Sequence, residues 1–161
     1  MSVHQELQIL PLCGPADYQS AGVDLDSINM GLLHKVKIIV ILGAVTGDNP
    51  IFLLYGGATV GTKTTELAFK WRKAGADTLT TGSDVFGATT SQAVDGVGAA
   101  LGVAATADLR TYTIDFLSES MPAGMPFLTL FIDDGSASAL FIAAIGIGWP
   151  RFEGTTHVTV L

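Results

Sequence analysis

The sequence predicts an all-β fold: an antiparallel β-sandwich or jelly-roll-like barrel, with an extended N-terminal arm and a long Gly/Ala-rich loop. Three observations carry this. Seven or so short segments alternate with period two or run continuously apolar, turn-forming residues separate them, and almost no segment has a helical period. At 161 residues the chain suits one domain with a substantial core. Apolar residues make up 48% of it and charged residues only 14%, a composition too apolar for disorder and too sparsely charged for an ordinary monomer surface. Such a chain is expected to hide surface against other subunits.

In chain order, residues 1–30 have no clean period. Leu7, Ile9, Leu10 and Leu12 form a short apolar run punctuated by Pro11, Gly14 and Pro15, and 23–25 is another short candidate strand. This region is expected to be an arm with one or two edge strands. It lies either on a neighbouring subunit or in the chain's own sheet, and the two look alike in sequence. The remaining residues, 31–161, form the sandwich.

Its organising stretch is 32–73. Segment 34–42 alternates and then becomes continuously apolar, 51–55 is a short apolar strand, and 67–73 places Leu67, Phe69 and Trp71 on one face and Lys70 and Arg72 on the other. The turn signal at 46–50 predicts a hairpin between the first two. Residues 74–108 are rich in small and polar types and predict a long excursion ordered by contact with other chains. Glycines weaken a helical reading of 96–102. Segment 111–117 alternates, with Tyr112, Ile114 and Phe116 on one face. Segment 127–132 reads as a buried strand, and Asp134-Gly135 predicts a hairpin to 140–147, whose small residues suggest close packing. Trp149 and Pro150 close that strand, and 157–161 is a terminal edge strand or tail.

Charge and motifs exclude several functions. The net charge is −7 and the eight Lys and Arg form no cluster beyond 70–73, so no nucleic acid partner is expected. No apolar stretch is long enough to span a bilayer as a helix, since 125–149 is cut by Asp133 and Asp134, and no membrane partner is expected. Without a basic, apolar leader the chain is expected in a cytoplasm or in something assembled there. The lone Cys13 supports neither an intrachain disulfide nor a Cys-based zinc site and reads as a small, partly buried apolar residue.

The glycine-rich segment 56–64 resembles a phosphate loop only superficially. Thr62 stands where Lys should follow Gly61, and a strand follows instead of a helix. His4, His34 and His157 lack a nucleophile elbow to serve. The carboxylates at Asp24 and Asp26 share a face without the further oxygen ligands a calcium site needs. No catalytic residue, cofactor or metal is expected, and the chain is not expected to be an enzyme. Trp71 and Tyr112 read as core aromatics, and Trp149 as an exposed one: a ligand platform or an interface anchor.

Several motifs together resemble the head decoration (cement, or minor capsid) proteins of tailed bacteriophages. They are the strand ending in Leu42 and Gly43 with Thr46, Gly47 and Asp48 after it, the Gly-Thr loop, the aromatic strand at 67–73 and the Ala76-Asp77-Thr78-Leu79 step. The alternating strand 112–117, the stretch 126–132 and the closing Gly148-Trp149-Pro150-Arg151-Phe152 complete the pattern. The resemblance implies a structural virion protein on the outer capsid surface, assembled in the host cytoplasm. It implies bridging of neighbouring major capsid protein subunits and self-association as a homotrimer. Candidate interface residues on that reading are Leu7, Ile9, Leu12, Tyr18, Phe86, Val97, Leu101, Trp149 and Arg151. The alternative is a sandwich binding module on a capsid or tail surface that recognises a glycan or host receptor through Trp149.

Overall fold

In the computed structural model the period-two segments become strands whose inward side chains meet across two antiparallel sheets. The structure describes residues 7–18, 22–46, 50–74, 86–92, 110–133 and 139–151. The strands are β1 (Gln8–Asp17), β2 (Val23–Asp24), β3 (Ile28–Asn29), β4 (Leu33–Thr46), β5 (Ile51–Gly57) and β6 (Thr65–Glu66). They continue with β7 (Phe69–Lys73), β8 (Thr90–Gln92), β9 (Thr111–Leu117), β10 (Phe127–Asp133) and β11 (Ala139–Pro150). A short 3-10 turn, Ser118–Ser120, follows β9. The six-stranded sheet runs β1-β11-β4-β9-β7-β8. The smaller sheet runs β2-β10-β5-β6, with β3 also on β10. The fold is an all-β sandwich.

The core is what the alternation predicts. Val36, Ile38 and Val40 of β4, Tyr112 and Ile114 of β9, and Ile142 and Ala144 of β11 point inward, against Phe52 and Leu54 of β5 and Leu128, Leu130 and Ile132 of β10. β-Branched side chains suit the pleat, and each fully buried one contributes about 1.5–3 kcal/mol. Phe52 meets Tyr112 edge-on, with ring centroids 5.4 Å apart, which ties the two sheets at their centre. The small residues of β11 have a local use. A Cβ at Gly148 would stand 3.0 Å from a Leu33 methyl, and one at Gly146 would stand 3.3 Å from the Leu10 Cβ. The glycines admit leucines from the flanking strands β1 and β4.

Two expected hairpins do not form. β4 pairs with β11 and β9, whereas β5 pairs with β10 and β6, so the chain passes from one sheet to the other between β4 and β5. Likewise β10 and β11 lie in different sheets, on either side of residues 134–138. A turn signal fixes a reversal but not a partner, and facing sheets are only about 10 Å apart. Among the described strands only β5–β6 and β7–β8 join sequence neighbours. Six of the other eight connections change sheet, in the manner of a jelly roll.

The N-terminal region takes the second of its two readings. β1 is an edge strand of the chain's own six-stranded sheet, and β2 and β3 edge the other. Part of the expected excursion also returns to the sandwich: Phe86 bridges Ala74, and β8 pairs with β7. The candidates Val97 and Leu101, the 96–102 segment and the 157–161 tail lie outside the described residues.

Candidate interaction surface

Strand β11 and the second half of β4, residues 38–42, are apolar on both faces in sequence, and a strand of that kind is normally covered on both sides. The inward face is covered by the smaller sheet. The outward face can be read from the register, because directly paired residues project from the same side. One row runs Ile9, Ile147, Lys37, Asp115, Lys70, Ser91. The next runs Pro11, Ile145, Ile39, Thr113, Arg72. Shorter rows flank these: Ala143, Ile41 and Thr111 on one side, Trp149, Lys35 and Leu117 on the other.

The outer face is therefore split. Over β1, β11 and β4 it is mostly apolar, with Ile9 73%, Ile41 48%, Phe141 46% and Ile145 39% exposed, and Asp17 pairs with Phe141 at its far end. Phe141 lies outward across Gly43, where a Cβ would stand 2.8 Å from the Phe141 Cβ. Over β4, β9 and β7 the face is basic. Lys35, Lys37, Lys70 and Arg72 stand there, half of the chain's eight cations. Asp115 is the one carboxylate in these rows. It accepts a hydrogen bond from Lys37 Nζ at 2.8 Å, with Lys35 Nζ 3.4 Å away. Burial alone would raise the Asp115 carboxyl, but the hydrogen bond and charge of Lys37, then those of Lys35, hold it below the ordinary carboxylate value. A cleft of about 400 Å³ opens at this end, between Lys35, Phe69, Lys70, Gln92 and Leu117.

The outer face of the smaller sheet is closed by the chain itself. The 58–64 loop lies across it. The Gly61 amide donates to Ser27 Oγ (2.9 Å), which is 2.8 Å from Thr129 Oγ1. Lys63 Nζ stands 3.9 Å from the centre of the Phe131 ring and 2.8 Å from Asp24. Within the loop, the amides of Thr59, Thr62 and Thr64 donate to Thr62 Oγ1, Thr59 O and Gly56 O. These are the amides a phosphate would need, and they serve the loop's own closure.

The sequence-derived candidates divide accordingly. Leu7 and Ile9 are exposed, on or beside the edge strand β1. Leu12, expected at an interface, is 2% exposed and belongs to the core. It points inward like Leu10, at the place where the register of β1 shifts between Pro11 and Cys13. Tyr18 is half-buried against the core. Phe86 is exposed at the opposite edge. Trp149 sits on the outer face with Lys35 Nζ 5.0 Å from its ring centre, so a cation already occupies one face a sugar would stack on. Arg151 acts as a clip: its guanidinium donates to Leu33 O (2.9 Å) and to Ser118 Oγ (2.7 Å).

Burial pushes the Cys13 thiol above its ordinary value, which keeps it protonated and poorly nucleophilic at neutral pH. His34 is exposed near the start of β4; His4 and His157 lie outside the described residues. Sequence reasoning missed Ile39, Ile41, Phe141 and Ile145. Their signal is the doubly apolar character of β11 and of residues 38–42 in β4. Compared with family models, with curated proteins and with solved structures, the chain matches none.

Proposed function

We propose that this chain is a structural virion protein that decorates an icosahedral phage capsid and stabilises it by bridging neighbouring major capsid subunits. Its work is protein–protein packing, with no bond-making step. The observation that carries the reading is the outer face of the six-stranded sheet. β11 and the second half of β4 are apolar on both sides, and among the described residues only the inner side packs against a facing sheet. An apolar patch of this kind on a rigid sheet marks a contact surface, and repetition by symmetry multiplies a modest contact into a stable shell. The motif resemblance supplies the virion and the capsid partner, and the low overall charge suits close approach of many copies. The test is co-sedimentation of the purified chain with icosahedral heads that lack it. Saturable binding that raises the heads' melting temperature is the expected result. A chain that stays in the supernatant and is absent from mature particles would remove the reading.

A further inference from the structure

At its basic end the six-stranded sheet forks. β9 pairs with β4 as far as Leu117, opposite Lys35, but with β7 only as far as Asp115, opposite Lys70. On the N-terminal side of Phe69 the chain belongs to the other sheet. The Leu67 amide donates to Leu54 O at 2.8 Å, and β6 pairs with β5. The cleft of about 400 Å³ lies in this fork, with Ala68 and Leu117 both lining it. That volume is within the range of small-molecule sites, about 300–1,000 Å³.

The ladders say which backbone group faces the fork. The Ala74 amide donates to Thr111 O, and antiparallel bonding alternates, so Arg72–Thr113 and Lys70–Asp115 are the next bonded pairs. Ala68–Leu117 would follow, but the β7–β9 ladder has already ended. On the other side, the Leu42 amide donates to Arg110 O, which makes Lys35–Leu117 a non-bonded pair of the β4–β9 ladder. Both counts turn the Leu117 amide away from β4 and toward the cleft.

The lining has two characters. Phe69 and Phe116, both nearly buried, and the exposed Leu117 make part of it apolar. Lys35 and Lys70 bring two ammonium groups, against Asp115 as the one carboxylate. Asp115 is already engaged by Lys37 at 2.8 Å. The lining is left with one positive charge in excess, a backbone donor and an apolar wall. Its complement carries one negative charge on an apolar body. A phosphate dianion would exceed the charge and face Asp115, and a neutral molecule would leave the surplus unmatched.

We infer that the fork between β7 and β9 is a binding site for a small monocarboxylate with an apolar body. Lys35, Lys70 and the Leu117 amide hold the carboxylate, and Phe69 and Phe116 meet the body. The site is separate from the apolar patch over β1, β11 and β4, and it does not depend on what docks there.

Octanoate titrated into the nitrogen-15-labelled full chain, read by two-dimensional amide NMR at neutral pH and low salt, tests this. Saturable shifts centred on the Leu117, Ala68 and Ser91 amides are expected, with a dissociation constant of about 1–10 mM or tighter. Octanol and inorganic phosphate each carry half of the chemistry and should bind at least about fivefold more weakly. Lys70→Gln should weaken octanoate binding about fivefold, whereas Arg72→Gln, on the same face but outside the cleft, should change it less than about twofold. Ala68→Leu fills the cleft from an exposed position without altering a charge and should abolish the shifts. Four results would each overturn the inference: no saturable shift with octanoate, octanol or phosphate binding as tightly, Lys70→Gln and Arg72→Gln behaving alike, or shifts centred on Ile9, Phe141 and Ile145 instead.

Discussion

Two isoleucines of β11 stand three residues apart on opposite sides of the sheet, and the same substitution at each should have opposite consequences. Ile142 is 2% exposed and faces the core; Ile145 is 39% exposed and faces outward. Threonine keeps the β-branched shape and strand preference, so Ile→Thr isolates burial from backbone effects. At 142 the change removes buried hydrocarbon and strands a hydroxyl, with a cost of about 2–4 kcal/mol. For a domain of this size that lowers the melting temperature by roughly 5–15 °C. At 145 much of the side chain is already wet, so the isolated chain should lose less than about 1 kcal/mol. The assembled state should reverse the order of interest, since Ile145→Thr should weaken docking several-fold while leaving the monomer intact. Thermal unfolding by circular dichroism, alongside sedimentation, reads both effects. Equal destabilisation of the isolated chain by the two substitutions would refute the reasoning, because it would mean that the outer face is already packed.

Further outcomes follow from single contacts. A Cβ at Gly57 would meet the Thr62 backbone oxygen and Oγ1, so Gly57→Ala should unseat the 58–64 loop. The expected cost is about 1–3 kcal/mol, with altered near-ultraviolet dichroism from Tyr55 and Phe131. Gly148→Val should overpack Leu33 and Leu10 and cost a similar 1–3 kcal/mol or so in chemical denaturation. Asp115→Asn should leave Lys35 and Lys37 facing each other uncompensated and lower stability near neutral pH by up to about 1 kcal/mol. The Asp115 carboxyl is depressed in the folded chain, so its contribution is fully present above the unfolded value near pH 4 and fades as pH falls through the lower folded value. The stability gap between wild type and Asp115→Asn should close over that acid window. A gap that persists unchanged at the lowest pH would contradict the ion-pair assignment.

Strand existence and facing were legible in the sequence because both depend on local periodicity. The alternation of 67–73 and 111–117 places Phe69, Tyr112, Ile114 and Phe116 inward and Lys70 and Arg72 outward, as found. Pairing was not legible. The turn signals at 46–50 and 134–135 do not say whether the next strand pairs with the last or crosses to the facing sheet, which depends on residues far away in sequence. β11 is held between β1 and β4, over a hundred residues upstream along most of its length. The outer face of the six-stranded sheet was half legible. Leu7 and Ile9, named from an apolar run punctuated by prolines, are exposed, and Trp149, named from the close of its strand, lies on the outer face. Ile41 and Ile145 were hidden inside apolar runs, where sequence alone does not say how many of a strand's faces its own chain covers. Leu12 was misjudged for the converse reason, since an apolar run beside prolines looks superficial until its partner strand is known.

Hydroxyl-radical footprinting read by mass spectrometry, comparing the isolated chain with the assembled particle, tests most directly whether the outer face of the six-stranded sheet is the working surface. The account predicts strong labelling of Ile9, Phe141 and Ile145 in the isolated chain and at least severalfold protection of all three on assembly, with Leu54 and Ile114 silent in both states. Equal labelling of the three residues in both states would contradict it.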